Sequence, residues 1–540
     1  MMVALLAWST TAHATYPEEV AACLDLLDVA CADRALVSIG AAHSSDPDVL
    51  AALAHTRFYD GDYPAAYDAM AGAVRAGFDD QYAELPLYER TMYATAGWVE
   101  EVRGRLAVRF RPGIDALLVD DAFAAIQGSD RSIAPLLGGS PPGVSRVELF
   151  PDGRSFIAAS SLDREDVETT GVVGLAKWSR LLVTSPRALP RGYPWQDTIA
   201  HEYIHLVVAH HTRDRAPVWL QEAIAKYLDA RWRDGRNGFR LTLRQQGLLA
   251  DALANDDLVT FAEMHPSLAK LPDADRAGLA YAQLATLMQF CFEQGGDDVL
   301  LRTLPRVADG IDPRMALALA AGFRDGDALV AAWRAWIDLQ PLHGKQLANM
   351  PTVLDGGDEM EADPVLAERQ DLARFVTLGD LLREGGFAEA SLVEYAKAIP
   401  NDQPPPPTVT NRIASVQLEL GDARSARAML EQSLADYPEF ASTHATLGEI
   451  HLREGRAAEA LAAFDAAVAI NPFDPIGRDG AARAARALGD TAAVAEHEHA
   501  LRVRARGGDD VTRPPIHLRT GTYELPSRAG TADRPPPPEE

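Results

Sequence analysis

The stretch 201–228, HEYIHLVVAHHTRDRAPVWLQEAIAKYL, sets His201, Glu202 and His205 among Tyr, Ile, Leu, Val and Ala. On an α-helix, residues four apart are separated by about 6 Å along the axis and about 40° around it, so His201 and His205 point the same way and can grip one zinc ion. Glu202 flanks that face and can reach a water beside the metal. An unpaired His or Glu buried on so apolar a helix costs on the order of several kcal/mol. A metal removes the objection, because it takes up imidazole lone pairs and offsets the carboxylate charge. The competing reading is a pair of core histidines hydrogen-bonded to backbone.

A catalytic zinc site needs a third protein ligand and one open position. Two candidates compete. His211, six residues beyond His205, occupies the third-ligand place of the pattern H-E-x-x-H-x-x-G-x-x-H, but Val208 stands where that pattern needs Gly to turn sharply, and a β-branched residue is poor at positive φ. Glu222 lies on a second helix: Pro217 suits its first turn, and Trp219, Leu220, Ala223, Ile224 and Tyr227 give apolar spacing. The segment between leaves room to turn and return antiparallel with Glu222 facing the metal. His210 reads as a solvated loop residue.

HEYIHLVV followed by PVWLQEAIAKYL resembles the gluzincin metallopeptidases, specifically the peptidase MA-like proteins, in which H-E-x-x-H precedes a W-L-x-E-G-x-A-x-Y block. The resemblance extends over roughly residues 100–345. It implies an α+β fold with a thermolysin-like core, one zinc ion held by His201, His205 and Glu222, and Glu202 as general base. It also implies an oxyanion donor on a later helix, for which Tyr281 is the candidate and an ordinary packed tyrosine the alternative. Ala223 replaces the usual Gly, and the G-x-M-E-N segment of related aminopeptidases is absent, so aminopeptidase specificity is not expected.

Upstream of the motif, RLAVRFRPG, VSRVELFPDG and GVVGLAKWSRLLVTSP read as strands closed by Pro or Gly, giving a β-rich layer followed by helices over 101–345. The run GVVGLAKW could bind an extended peptide by edge pairing or simply build the sheet. Farther out, Gly386, Gly421, Gly455 and Gly489 recur at intervals of 35, 34 and 34, and Pro438 and Pro472 at 34. This pattern resembles the tetratricopeptide repeat, a helix pair whose small residues permit close approach. It places a repeat array at 371–505 and a related helical unit, marked by Ala54, Gly61, Ala66 and Ala73, within 15–100. Residues 346–370 read as a polar linker and 506–540 as an unfolded tail.

The chain holds 540 residues, with 78 acidic and 51 basic side chains and a net charge of −27, which argues against nucleic acid or anionic lipid as a partner. The expected partners are a peptide or protein substrate and a protein bound by the repeats. Residues 1–14, MMVALLAWSTTAHA, join an apolar segment to Ala-x-Ala and resemble a signal peptide, so the protein is expected to be exported to the periplasm or beyond; no later run suggests an integral membrane segment. Cys23 and Cys31 can pair only if a turn intervenes, since eight residues of unbroken helix would hold them about 12 Å apart. The leading reading is an exported zinc peptidase; the alternative is a non-catalytic repeat adaptor that carries a relic or structural metalloprotease fold.

Overall fold

The computed structural model describes residues 16–506, apart from 81–82, 165–166, 168–170, 178–179, 236–237 and 402. The expected signal peptide and nearly all of the expected tail lie outside the described residues. The fold is mostly helical, with one small mixed sheet.

The N-terminal unit is helical: α1 (Glu18–Asp25), α2 (Val29–Ser38), α3 (Pro47–Tyr59), α4 (Tyr63–Ala76) and α5 (Glu84–Ala94). Between α1 and α2 the chain turns at Leu27, with φ of 56°. That turn brings the Cα atoms of Cys23 and Cys31 to 5.5 Å, and the two form a disulfide. Asp46 and Asp62 cap α3 and α4 by accepting from backbone N–H groups of their first turns. The unit is tied to the sheet by a buried network in which Arg180 Nη1 donates to Tyr63 Oη at 2.7 Å and to Glu148 Oε2 at 2.9 Å.

Five strands follow: β1 (Val99–Arg103), β2 (Leu106–Phe110), β3 (Ser145–Phe150), β4 (Gly174–Lys177) and β5 (Arg180–Thr184), in the order β1-β2-β3-β5-β4. β2, β3 and β5 run parallel, while β1 and β4 are antiparallel edges. The parallel connections carry helices, α6 (Val119–Leu137) between β2 and β3 and α7 (Gly153–Ala159) after β3. The β-rich layer is therefore interleaved with helices, and the GVVGLAKWSRLLVTSP run is a hairpin rather than one strand. β1 carries no strand signal in sequence because all five of its positions are exposed.

The second half is helical: α8 (Trp195–Thr212), α9 (Val218–Leu228), α10 (Leu243–Asn255), α11 (Ala274–Gly295), α12 (Val299–Ala308), α13 (Pro313–Ala320) and α14 (Gly326–Ile337). One apolar core, including Val108, Leu149, Leu182, Ile199, Tyr203 and Ile224, joins sheet and helices. Pro217, at the N-cap, precedes α9, and α8 ends on Arg213 at φ of 53°. Because α8 runs to Thr212, His210 and His211 are helical, which corrects the loop placement of His210.

The repeat region is four helix pairs: α15 (Gln370–Glu384) with α16 (Ala388–Lys397), α17 (Pro407–Glu419) with α18 (Ala423–Asp436), α19 (Ala441–Arg453) with α20 (Ala457–Ile470), and α21 (Pro475–Leu488) with α22 (Thr491–Ala505). Gly386, Gly421, Gly455 and Gly489 each sit between the two helices of a pair at φ of 82°, 89°, 74° and 76°, the left-handed region that a side chain resists. A Cβ at Gly480 would lie 2.2 Å from Phe464 Cε1, so close helix approach depends on the missing side chain.

The array is docked on the rest of the molecule. Tyr193 N donates to Ile470 O at 3.0 Å, and Leu347, Tyr437 and Phe440 form a shared apolar cluster. Residues 346–370 carry buried Leu354, Ala362, Val365 and Leu366, so this segment packs along the molecule. No helix among the described residues is long and apolar enough to cross a membrane.

Candidate metal centre

α8 and α9 return against each other and bring His201, His205 and Glu222 together, all three buried, with donor atoms within 4.8 Å of one another. His201 Nε2 lies 3.3 Å and His205 Nε2 3.6 Å from Glu222 Oε2. Two ligands at about 2.05 Å from a tetrahedral zinc are separated by about 3.3 Å, so these spacings fit two edges of such a site better than good direct hydrogen bonds of about 2.9 Å. His205 Nδ1 and Nε2 and Glu222 Oε1 are buried without a hydrogen-bond partner. Orphaned donors of this kind, converging from two helices, fit a divalent cation.

The electrostatics agree. Burial alone would lower the His201 pKa, but Asp229 and Glu222 outweigh it and raise the ring above its ordinary value. Burial would raise the Glu222 carboxyl, yet His205 and His201 hold it below the usual range. His205 is lowered, chiefly by burial. The pocket favours a carboxylate facing a positive charge, which a metal supplies more fully than a proton.

Glu202 is fully buried and neither of its oxygens has a hydrogen-bond partner of good geometry. Burial pushes its carboxyl up to about 8, with His201 opposing and Glu222 adding. It faces the edge strand: a Cβ at Gly174 would stand 2.6 Å from Glu202 Oε1 and 2.5 Å from Thr198 Cγ2. β4 therefore runs directly beside the glutamate and is the edge strand of the sheet among the described residues.

His211 is elsewhere. Its Nε2 is 3.0 Å from Gly139 O, on the side of α8 turned toward α6. Val208 stays helical, so the sharp turn that would swing His211 to the metal does not occur. His210 Nδ1 is 3.3 Å from Leu26 O in the N-terminal unit.

Tyr281, on α11, is buried and lines a cavity of about 390 Å³ together with His201. Asp229 lines the same cavity and was not foreseen. Its Oδ2 stands 3.5 Å from His201 Nδ1 and accepts from Lys226 Nζ at 2.9 Å. A carboxylate behind a ligating imidazole fixes its tautomer and orientation. The signal was present, since Asp229 follows Glu222 by seven residues and so shares its helix face.

Residues 183–339 match the model of the Peptidase MA superfamily, and residues 411–475 match a tetratricopeptide repeat model. No curated protein is detectably similar to the chain. Among solved structures, native yeast LTA4 hydrolase is 14% identical, with 75% of this chain and 66% of that one covered and a TM-score of 0.29. TTC0263, a thermophilic TPR protein of Thermus thermophilus, is 21% identical over 25% of this chain and 75% of its own, at a TM-score of 0.23. MamA is 16% identical over 26% and 82%, also at 0.23. These scores are too low to assign a shared fold. With the two family matches falling on the His-His-Glu cluster and on the glycine-punctuated helix pairs, the chain carries a Peptidase MA superfamily domain and a tetratricopeptide repeat region.

Proposed function

We propose that the protein is a zinc-dependent peptidase of the gluzincin type, built on a thermolysin-like core. The observation that carries this reading is the convergence of His201, His205 and Glu222, with Glu202 buried beside them. One zinc ion held by the three would lower the pKa of a water and polarise a substrate carbonyl. The residues of the chain do the rest. Asp229 orients His201, and Glu222 offers its charge to the cation. Glu202 takes the proton from the attacking water and returns it to the leaving amine. Tyr281 donates its O–H to the carbonyl oxygen as negative charge grows there. β4, at the edge of the sheet, pairs with an extended peptide and lays the scissile bond beside Glu202.

The repeats recruit substrate or a protein partner. Export through residues 1–14 completes the reading, and the Cys23–Cys31 disulfide supports an oxidising compartment. The test is Glu202→Gln. It should abolish chelator-sensitive cleavage of a broad peptide library while zinc content stays unchanged. Undiminished cleavage by that variant refutes the mechanism, and no chelator-sensitive cleavage by the wild type favours an adaptor.

A further inference from the structure

The cavity that His201 and Tyr281 line is not closed by the peptidase domain alone. Leu347 and Met350, from the segment leading into the repeats, with Asp436 at the end of α18 and Tyr437, Pro438 and Glu439 from the turn before α19, form its far wall. The array is held there by the Tyr193–Ile470 backbone hydrogen bond and by the cluster around Leu347, Tyr437 and Phe440. A wall so anchored is part of the cleft, and a volume of about 390 Å³ beneath it admits an extended segment rather than a folded domain.

Charge around the cavity is unevenly satisfied. Asp197 accepts from Arg233 Nη2 at 2.7 Å, Asp229 from Lys226 at 2.9 Å, and Asp436 pairs with Lys345. Glu439, half-buried, has no hydrogen bond or ion pair among the described residues. Of the cations whose fields reach it, Lys226 is paired with Asp229, and Arg191, which does not line the cavity, donates through Nη2 to Pro351 O at 3.2 Å while its Nε and Nη1 are buried without a hydrogen-bond partner. Arg240, which also lines the cavity and has no ion pair among the described residues, is exposed and therefore screened by water. The whole chain, at −27, adds to the attraction for a cation.

We propose that Glu439, contributed by the repeat array, is a specificity-determining residue of the cleft and selects substrates with a basic side chain or free ammonium group facing the array. This rests on the peptidase reading for the identity of the ligand as a peptide, and it adds that the array reads substrate charge directly. A half-buried ion pair in such a wall gives about five- to tenfold discrimination.

The test is binding, measured on the zinc-loaded Glu202→Gln protein so that no cleavage intervenes. Fluorescent eight-residue peptides carry a single Lys, or Gln in its place, walked along an otherwise uncharged sequence. At one position Lys should bind at least about fivefold tighter than Gln. Adding Glu439→Gln should reduce that ratio to near one, and Glu439→Lys should invert it, with melting temperature and zinc content unchanged. Glu459→Gln, an exposed acid on α20, serves as the control for bulk charge and should leave the ratio intact. A ratio near one at every position, a ratio that survives Glu439→Gln, or no peptide binding at all overturns the inference. Chelator-sensitive cleavage by the wild type without the Lys preference would sink this inference alone; the Lys preference without any cleavage would sink only the peptidase reading.

Discussion

Glu202 Oε1 lies 2.6 Å from the point a Cβ on Gly174 would occupy. The edge strand thus packs against the side chains of Thr198 and Glu202 on the motif helix, with no room for a side chain at position 174. Gly174→Ala must move one or the other. A displacement of about 1 Å at a reacting group costs about 100-fold, so the variant should lose about that much in kcat/KM while binding zinc normally. Wild-type kcat/KM in this variant would show that β4 does not position the site.

Asp229 stands behind His201 as Glu222 stands in front of it. Asp229→Asn keeps the shape but removes the charge, leaving Lys226 without its partner. Zinc affinity should fall by about 10- to 100-fold, measured by competition with a chromogenic chelator. An unchanged affinity would reduce Asp229 to a partner of Lys226 only.

Metal binding should stabilise the native state, because His201, His205 and Glu222 are assembled only when α8 and α9 are packed together. At free zinc about 1,000-fold above Kd the gain is about 4 kcal/mol. Thermal unfolding with zinc and with chelator should therefore give clearly separated midpoints, and the gap should vanish in Glu222→Gln. A gap that persists there would place the ion elsewhere.

Gly480→Ala sets a methyl group against Phe464 in the array. Overpacking of this kind costs about 1–3 kcal/mol, so chemical denaturation should show an earlier loss of the repeat region. Zinc content should not change, since the metal ligands are on α8 and α9. Stability equal to wild type would mean that the helix pair opens without penalty.

Much of this architecture is written in local spacing. His201 and His205 at an interval of four, Glu222 on an apolar-spaced helix, and glycines every 34 or 35 residues each report a periodicity that short-range geometry enforces. What escaped is set by tertiary contacts. β1 (VEEVR) is exposed at all five positions and so lacks the alternation that marks a half-buried strand. His210 and His211 look like the start of a turn until Thr212, whose hydroxyl donates to Val208 O at 2.8 Å, is seen to extend the helix. The Cys23–Cys31 bridge depends on one left-handed residue, Leu27, that no side-chain pattern announces. The wall from Asp436 to Glu439 is invisible in sequence, because 200 or more residues separate it from the motif it faces.

The central claim is that one divalent cation is gripped by two imidazoles on α8 and one carboxylate on α9. Elemental analysis of purified wild type, Glu222→Ala and His211→Ala tests it most directly. One zinc per chain in wild type and His211→Ala, with loss in Glu222→Ala, is the predicted result. Zinc retained in Glu222→Ala and lost in His211→Ala would contradict it.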